Sequence, residues 1–258
     1  FTVSGSELSI TSAGVLTFAT APDYETKASY AATVTVNDGA NTTSQDITVN
    51  VADVNDAPVF TSNETFSADE NQTAIGTATG SDQDGNSLSF TVSGSELEIT
   101  SAGVLTFASA PDYETKSSYT ATVSVSDSIV TTTQNITVNV SDVNDAPVAT
   151  AASYGLNLLP QSQTSASTTL AGTDQDGDTL TYAIASNGSY GTASISGSTF
   201  SYQTSADTQS AQSDSFTFTA NDGTVDSSAA TISIDLRTDP LYQYQWHLNN
   251  TGQTNFAT

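Results

Sequence analysis

Carboxylates in this chain stand in small groups of fixed spacing, and the groups return at one distance. Asp53-Val54-Asn55-Asp56-Ala57-Pro58 reappears unchanged as Asp142-Val143-Asn144-Asp145-Ala146-Pro147, an offset of 89 residues. Asp23-Tyr24-Glu25 returns at the same offset as Asp112-Tyr113-Glu114, and residues 1–7 return as residues 90–96. Further acids stand in Asp82-Gln83-Asp84 and Asp174-Gln175-Asp176, with Asp127 and Asp222 later in the chain. Carboxylate, amide and carbonyl oxygens are the ligands of hard divalent cations, and calcium takes about six to eight of them. Cysteine is absent and histidine occurs once, which argues against zinc and other thiophilic metals. Magnesium tolerates oxygens but prefers a tighter octahedron with retained waters. A domain-sized period that keeps its acidic clusters implies a tandem array whose modules meet at shared cation sites.

Charge narrows the alternatives. The 258 residues carry 28 acids against 3 bases, a formal net charge of −25. That excess repels phosphate backbones and anionic lipid surfaces, so no nucleic-acid partner is expected. No apolar run approaches the roughly 20 residues that cross a bilayer, and no membrane insertion is expected of these residues. The chain opens inside a repeat and reads as a piece of a longer protein, with any targeting segment upstream. Asp174-Gln175-Asp176-Gly177-Asp178 fails as a helix-loop-helix calcium loop, because its twelfth position is Ala185 rather than Glu. Asp178 also lies outside the recurring acidic elements. Paired acids can serve glycoside hydrolysis, but these pairs are accounted for by the junction pattern, and no catalytic residue is assigned.

The elements that must position these acids are strands. Leu88, Phe90 and Val92 alternate with Ser89 and Thr91; Tyr119, Ala121, Val123 and Val125, then Ile136, Val138 and Val140, alternate with polar neighbours. Period-2 alternation rich in Val, Ile, Thr, Tyr and Phe predicts half-buried antiparallel strands. Turn signals such as Ser-Ala-Gly, Ala-Pro-Asp and Asn-Asp-Gly separate the runs at sandwich-like intervals. The modules are read as residues 1–58, lacking their first two strands, 59–148, complete, and 149–236, divergent. The last keeps Thr173-Asp174-Gln175-Asp176-Gly177 and Asn221-Asp222-Gly223 but has lost the Asp-x-Glu element, since the corresponding stretch runs from Phe200 to Asp207.

On these motifs the first two modules resemble cadherin repeats in their bacterial form. The resemblance implies an all-β fold of tandem Greek-key immunoglobulin-like sandwiches of the cadherin type, arranged as an elongated rod, with calcium at the junctions. Carried over residue by residue, the first junction would use Asp23, Glu25, Asp53, Asn55, Asp56, Asp82, Asp84 and Asp127. The second would use Glu70, Asp112, Glu114, Asp142, Asn144, Asp145, Asp174, Asp176 and Asp222. The glutamate that opens a repeat has no counterpart for the first junction, which is therefore incomplete as written. Ser128 replaces the Gly that follows Asp38 and Asp222. The family places about three calcium ions per junction, or +6 against the eight carboxylates of the second. Without metal, unit charges about 4 Å apart repel by about 4 kcal/mol per pair at an effective dielectric near 20. An empty linker should hinge and a filled one should be stiff, with Pro58 and Pro147 fixing φ at each exit.

The third module resembles cadherin-like domains of large bacterial surface proteins. The tail, residues 237–258, holds the sole Trp and His, and Asp239 to Gln253 resembles the opening segment of kexin/furin-type subtilisin-like peptidase domains. In that family the catalytic residues follow this segment, so any activity would lie beyond Thr258 and His247 matches no catalytic position. Three functions are weighed: a calcium-stiffened stalk or adhesin segment at a bacterial cell surface, an accessory stalk of a secreted protease, and a filament subunit completed by strand donation. Homotypic or heterotypic protein contacts are compatible with each.

Overall fold

In a computed structural model the protein is described over residues 1–158, 165–205 and 212–238. The described residues are all-β, with no helix. The chain divides into two compact units, Phe1–Asp142 and Val143–Thr258. The tail resembling a peptidase opening lies outside the described residues from Asp239 onward, as does Asp207.

The first unit holds two pairs of sheets. In the second pair, a four-stranded sheet runs in the order Ser89–Val92, Ser118–Ser126, Thr131–Ser141, Thr65–Asp69. Its last two strands are parallel, from Thr137 beside Thr65 to Ser141 beside Asp69. A three-stranded sheet of Leu97–Ile99, Val104–Phe107 and Ala74–Thr77 faces the same core. Alternation does the sorting: Val123, Val125 and Val138 are fully buried, while Ser118, Thr120 and Asn139, of opposite parity, stay exposed. Phe107 packs edge-on against Tyr119 at 5.0 Å, and Lys116 caps that ring at 4.2 Å while pairing with Glu96.

The first sheet pair repeats this arrangement with one strand fewer per sheet. Thr2–Val3, Ser29–Asn37 and Thr42–Asn50 form one sheet, and Leu8–Ile10 with Leu16–Phe18 the other. Lys27 reproduces the lysine contacts, 2.5 Å from Glu7 and 4.7 Å from the Tyr30 ring centre. Identical side chains therefore meet different surroundings: Val125 is 0 % exposed and its counterpart Val36 39 %, while Phe90 is 8 % and Phe1 51 % exposed.

The second unit has the same strand order. Ala152–Leu158, Ala230–Thr238, Gln212–Asn221 and Thr181–Ser186 form a four-stranded sheet whose first two strands are parallel. Ser165–Thr169, Thr199–Thr204 and Gly191–Ser196 form the three-stranded sheet. Phe200, Tyr202, Phe216, Phe218 and Leu236 are fully buried in its core.

Short strands lead into the acidic turns. Val59–Phe60 pairs with Gly80–Ser81, just before Asp82, and Val148–Ala149 pairs with Gly172–Thr173, just before Asp174. Gly80 is required there, because a Cβ would stand 2.9 Å from the Val59 carbonyl oxygen.

Leu105 is fully buried and its repeat counterpart Leu16 only partly so. Leu105→Ala is expected to cost about 2–5 kcal/mol and Leu16→Ala clearly less, measured by urea denaturation. Equal losses would mean that burial does not set the difference.

Candidate metal centre

Asp23 opens a tight turn and is largely engaged by it. Its carboxylate accepts the Glu25 and Thr26 backbone N–H groups at 3.1 and 3.2 Å and the Thr26 hydroxyl at 3.0 Å. Gln83 adds an amide donor at 3.0 Å. The Thr26 backbone bond, then its hydroxyl, holds the Asp23 carboxyl below the usual range. This turn is the kind that Asp makes with its own backbone, and it sends Glu25 toward the next repeat.

Glu25, Asp53 and Asp84 offer carboxylate oxygens all within 4.8 Å of one another. Two ligands on opposite sides of a calcium ion lie about 4.6–5.2 Å apart, so the span fits one coordination sphere. The linker is fastened to the second sheet pair beside this group. Asp56 N–H donates to Asp84 Oδ2 at 2.7 Å, and the Asn55 amide donates to Asp127 Oδ2 at 2.8 Å and to its own neighbour, the Asp56 carbonyl, at 2.8 Å. Asp127 is aimed by its own turn, accepting Ile129 N–H at 2.7 Å and Val130 N–H at 2.6 Å through Oδ1. Asp82 Oδ1 likewise caps its turn by accepting Asn86 N–H at 3.1 Å.

The remaining oxygens carry the chemical information. Asp82 Oδ2 and Asp84 Oδ1 are shielded from solvent and accept no hydrogen bond. A buried acceptor without a partner costs about 1–3 kcal/mol, more when charged, and a cation is the partner that crowded carboxylates can share. Electrostatics agree. The Glu25 backbone N–H lowers that carboxyl most, yet burial and the neighbouring Asp84 and Asp53 charges outweigh it and hold the group above its ordinary value. Asp127 lies below its ordinary value, through the Asn55 amide first and the Val130 N–H next.

The same parts recur elsewhere in each unit. In the first, Glu70, Glu114 and Asp142 offer oxygens within 4.8 Å of one another. Glu70 is 2 % exposed and accepts Tyr113 N–H at 2.8 Å, while Asp112 accepts Thr115 N–H at 3.0 Å. In the second, Asn144 donates to Asp222 Oδ2 at 2.9 Å and Asp145 N–H to Asp176 Oδ2 at 2.7 Å. Asp222 is aimed by Thr224 and Val225 N–H groups at 2.6 and 2.7 Å. The Asn144 amide, then Val225 N–H, lowers its carboxyl. Asp174 Oδ2 and Asp176 Oδ1 are again shielded and unpartnered.

Two features escaped the sequence reading. Asp178 joins Asp174 and Asp176 in a group within 4.8 Å; its spacing of two residues from Asp176 was the available signal. Ser128 adopts φ +81°, where Gly39 and Gly223 stand at +98° and +104° in the equivalent turns. The missing glycine signalled a changed loop but not the retained backbone.

Ser128 in the left-handed region costs about 1–2 kcal/mol, of which glycine's larger unfolded-state entropy returns about 0.5–1 kcal/mol. Ser128→Gly should therefore stabilise the first unit by roughly 0.5–1 kcal/mol in urea denaturation, and destabilisation would contradict the strain. Glu25 is raised, so its ionisation opposes folding increasingly as pH rises through its folded value, and the penalty is absent below the ordinary glutamate range. In chelator, Glu25→Gln should raise Tm at about pH 7 and leave it unchanged at about pH 3. Equal shifts at both pH values would exclude repulsion as the cause.

Known proteins resemble these units. The family described as bacterial cadherin-like domain matches residues 144–238, and the family described as bacterial Ig domain matches residues 55–139. Protocadherin Fat 4 of Mus musculus is 36 % identical over 140 residues, 47 % of this chain and 3 % of that protein; the chain spans only a small part of that relative. Among solved structures, mouse protocadherin-24 EC1-3 aligns with TM-score 0.55 at 17 % identity, covering 92 % of this chain and 89 % of that one. Mouse cadherin-23 EC22-24 aligns with TM-score 0.53 at 18 % identity, covering 92 % and 86 %. The chain contains regions matching bacterial cadherin-like and immunoglobulin-like domains, and its fold is that of tandem cadherin extracellular repeats.

Proposed function

We propose that the chain is a calcium-binding extracellular structural segment, stiffened by Ca2+ where its repeats meet, within the stalk or adhesive region of a larger bacterial surface or secreted protein. The repeats are taken as residues 1–58, 59–148 and 149–236. One observation carries the reading: Glu25, Asp53 and Asp84 converge within one coordination sphere while Asp82 Oδ2 and Asp84 Oδ1 stand buried and unpartnered beside them. Each of those acids comes from a different stretch, the Asp-x-Glu turn, the linker, and the first acidic turn of the next repeat.

Calcium supplies concentrated positive charge to oxygens that cannot all reach water. The chain's residues do the rest. Asp23, through its turn, and Gly80, through its close packing, set where Glu25 and the Asp82-Gln83-Asp84 turn stand. Asn55 and Asp56 tie the linker to Asp127 and Asp84 by hydrogen bonds that need no metal. Pro58 is buried and fixes φ at the linker's exit. Glu70, Asp112, Glu114 and Asp142 in the first unit, and Asn144, Asp145, Asp174, Asp176 and Asp222 in the second, are assigned the same role.

Calcium at 1,000 times its Kd stabilises the folded state by about 4 kcal/mol per independent site. Scanning calorimetry should show Tm rising with calcium over chelator, and the rise should shrink in Glu25→Gln/Asp53→Asn/Asp84→Asn. A Tm indifferent to calcium would refute the proposal.

A further inference from the structure

We propose that the first sheet pair is a docking site for an extended segment of a partner polypeptide, which enters parallel to Thr42–Asn50 and returns along Leu16–Phe18. The segment has the chemistry of residues 65–77, with apolar or small side chains at alternate inward positions and hydroxyls outward. Two open edges border the site. Among the described residues, Thr42–Asn50 pairs only with Ser29–Asn37, and Leu16–Phe18 only with Leu8–Ile10, so each strand has one side unpaired. An unpaired edge presents a row of N–H and C=O groups that templates another strand. Phe1, Ile10, Leu16, Val34, Val36 and Ile47 line a groove at these edges. Such a surface holds apolar side chains in water and gains free energy on being covered.

The second sheet pair shows what covers this groove. Its equivalent edges, 89 residues on, are both occupied. Thr65 to Asp69 run parallel beside Thr137 to Ser141, and Ala74–Thr77 lies antiparallel to Val104–Phe107. In the first pair the corresponding edge positions are residues 48–52 and 15–18. The two covering strands set Phe66, Ala68 and Ile75 against the core and leave Thr65, Ser67 and Thr77 exposed. Under that cover Val123, Ile136 and Val138 are buried, whereas their counterparts Val34, Ile47 and Val49 are only partly so. The groove thus matches a two-stranded segment of defined direction and alternation. Main-chain bonds along the edges supply affinity, and pockets for alternate side chains supply specificity.

A second copy of the same edge does not fit. Asp46 stands exposed at the midpoint of Thr42–Asn50. Pairing this strand with itself about that midpoint would set two Asp46 carboxylates opposite each other, which is destabilising. It would also run antiparallel and leave Leu16–Phe18 open.

The test adds a labelled peptide of residues 63–79 to the full chain at about 0.15 M salt, where charge repulsion is screened beyond about 8 Å. Fluorescence anisotropy should show saturable binding, and amide hydrogen exchange should slow at residues 15–18 and 47–52. The same peptide carrying Phe66→Asp and Ile75→Asp should bind at least about tenfold more weakly; the change lies in the peptide, so the protein's own folding is untouched. No saturable binding, or equal binding of the two peptides, would overturn the proposal. Altered exchange confined to residues 65–77 and 131–141 would mean that the peptide only displaces its own counterpart, and would overturn it too. A chain that sediments as a dimer with residues 47–52 already protected would assign the edge to a second copy instead, with the same consequence.

Discussion

The first unit depends on like charges held close: Glu25, Asp53 and Asp84 offer oxygens within 4.8 Å of one another, with no ion pair to them among the described residues. The chain has 28 acids and 3 bases. Its two lysines are committed to other partners, Lys27 to Glu7 and the Tyr30 ring, Lys116 to Glu96 and the Tyr119 ring. Both make the same contacts because both occupy the same repeat position. Among the described residues no ion pair reaches Glu25, Asp53 or Asp84, and the fold keeps these acids near one another. Backbone donors do that holding: Asp56 N–H on Asp84, and the turn N–H groups that fix Asp127 and Asp82.

Repetition inside one chain separates causes that single sites confound. Val36 and Val125 are the same residue at the same offset, one exposed and one buried, so neighbouring strands and not side-chain identity decide burial. Gly39, Ser128 and Gly223 adopt the same left-handed backbone in three turns. The turn is thus required by the acid before it, since both following N–H groups must reach that carboxylate, and the serine is strained into a geometry set by Asp127. Asn86 and Asp178 differ in charge within one backbone geometry. Conformation is kept across the copies while the number of acids varies.

The all-β fold was legible in the sequence because strands advertise a period of two. Which acids share an environment was not legible. Asp23 and Glu25 look equivalent in the motif, yet one is engaged by its own turn and the other is pushed toward its neighbours' charges. Hydrogen-bond partners decide this, and they come from residues such as Thr26 and Gln83 that no acidic motif includes. Asp178 was passed over for the same reason: its nearness to Asp174 and Asp176 depends on a turn closing back on Asp174, not on the recurring elements. Ser128 showed that a loop had changed, but only the backbone shows that its conformation had not.

Burial of an acid does not by itself imply a cation, and the second unit supplies the contrast. Asp214 is 9 % exposed, and burial acts most strongly to raise its pKa. The Tyr202 hydroxyl and the N–H groups of Tyr190, Ser189 and Ser215 donate to it and outweigh that effect, so the carboxyl stays below its ordinary value. Gly188 packs so closely that a Cβ would reach 2.2 Å from the carboxylate. Such an anion is complete within the protein, with four donors and no space for another ligand. Asp82, Asp84, Asp174 and Asp176 are the opposite case: each uses one oxygen to fasten the backbone and leaves the other buried without a donor. Among the described residues no ion pair reaches any of these four acids. The division within each carboxylate, one oxygen for the fold and one unpartnered, is what separates a candidate metal ligand here from an acid that merely holds a loop.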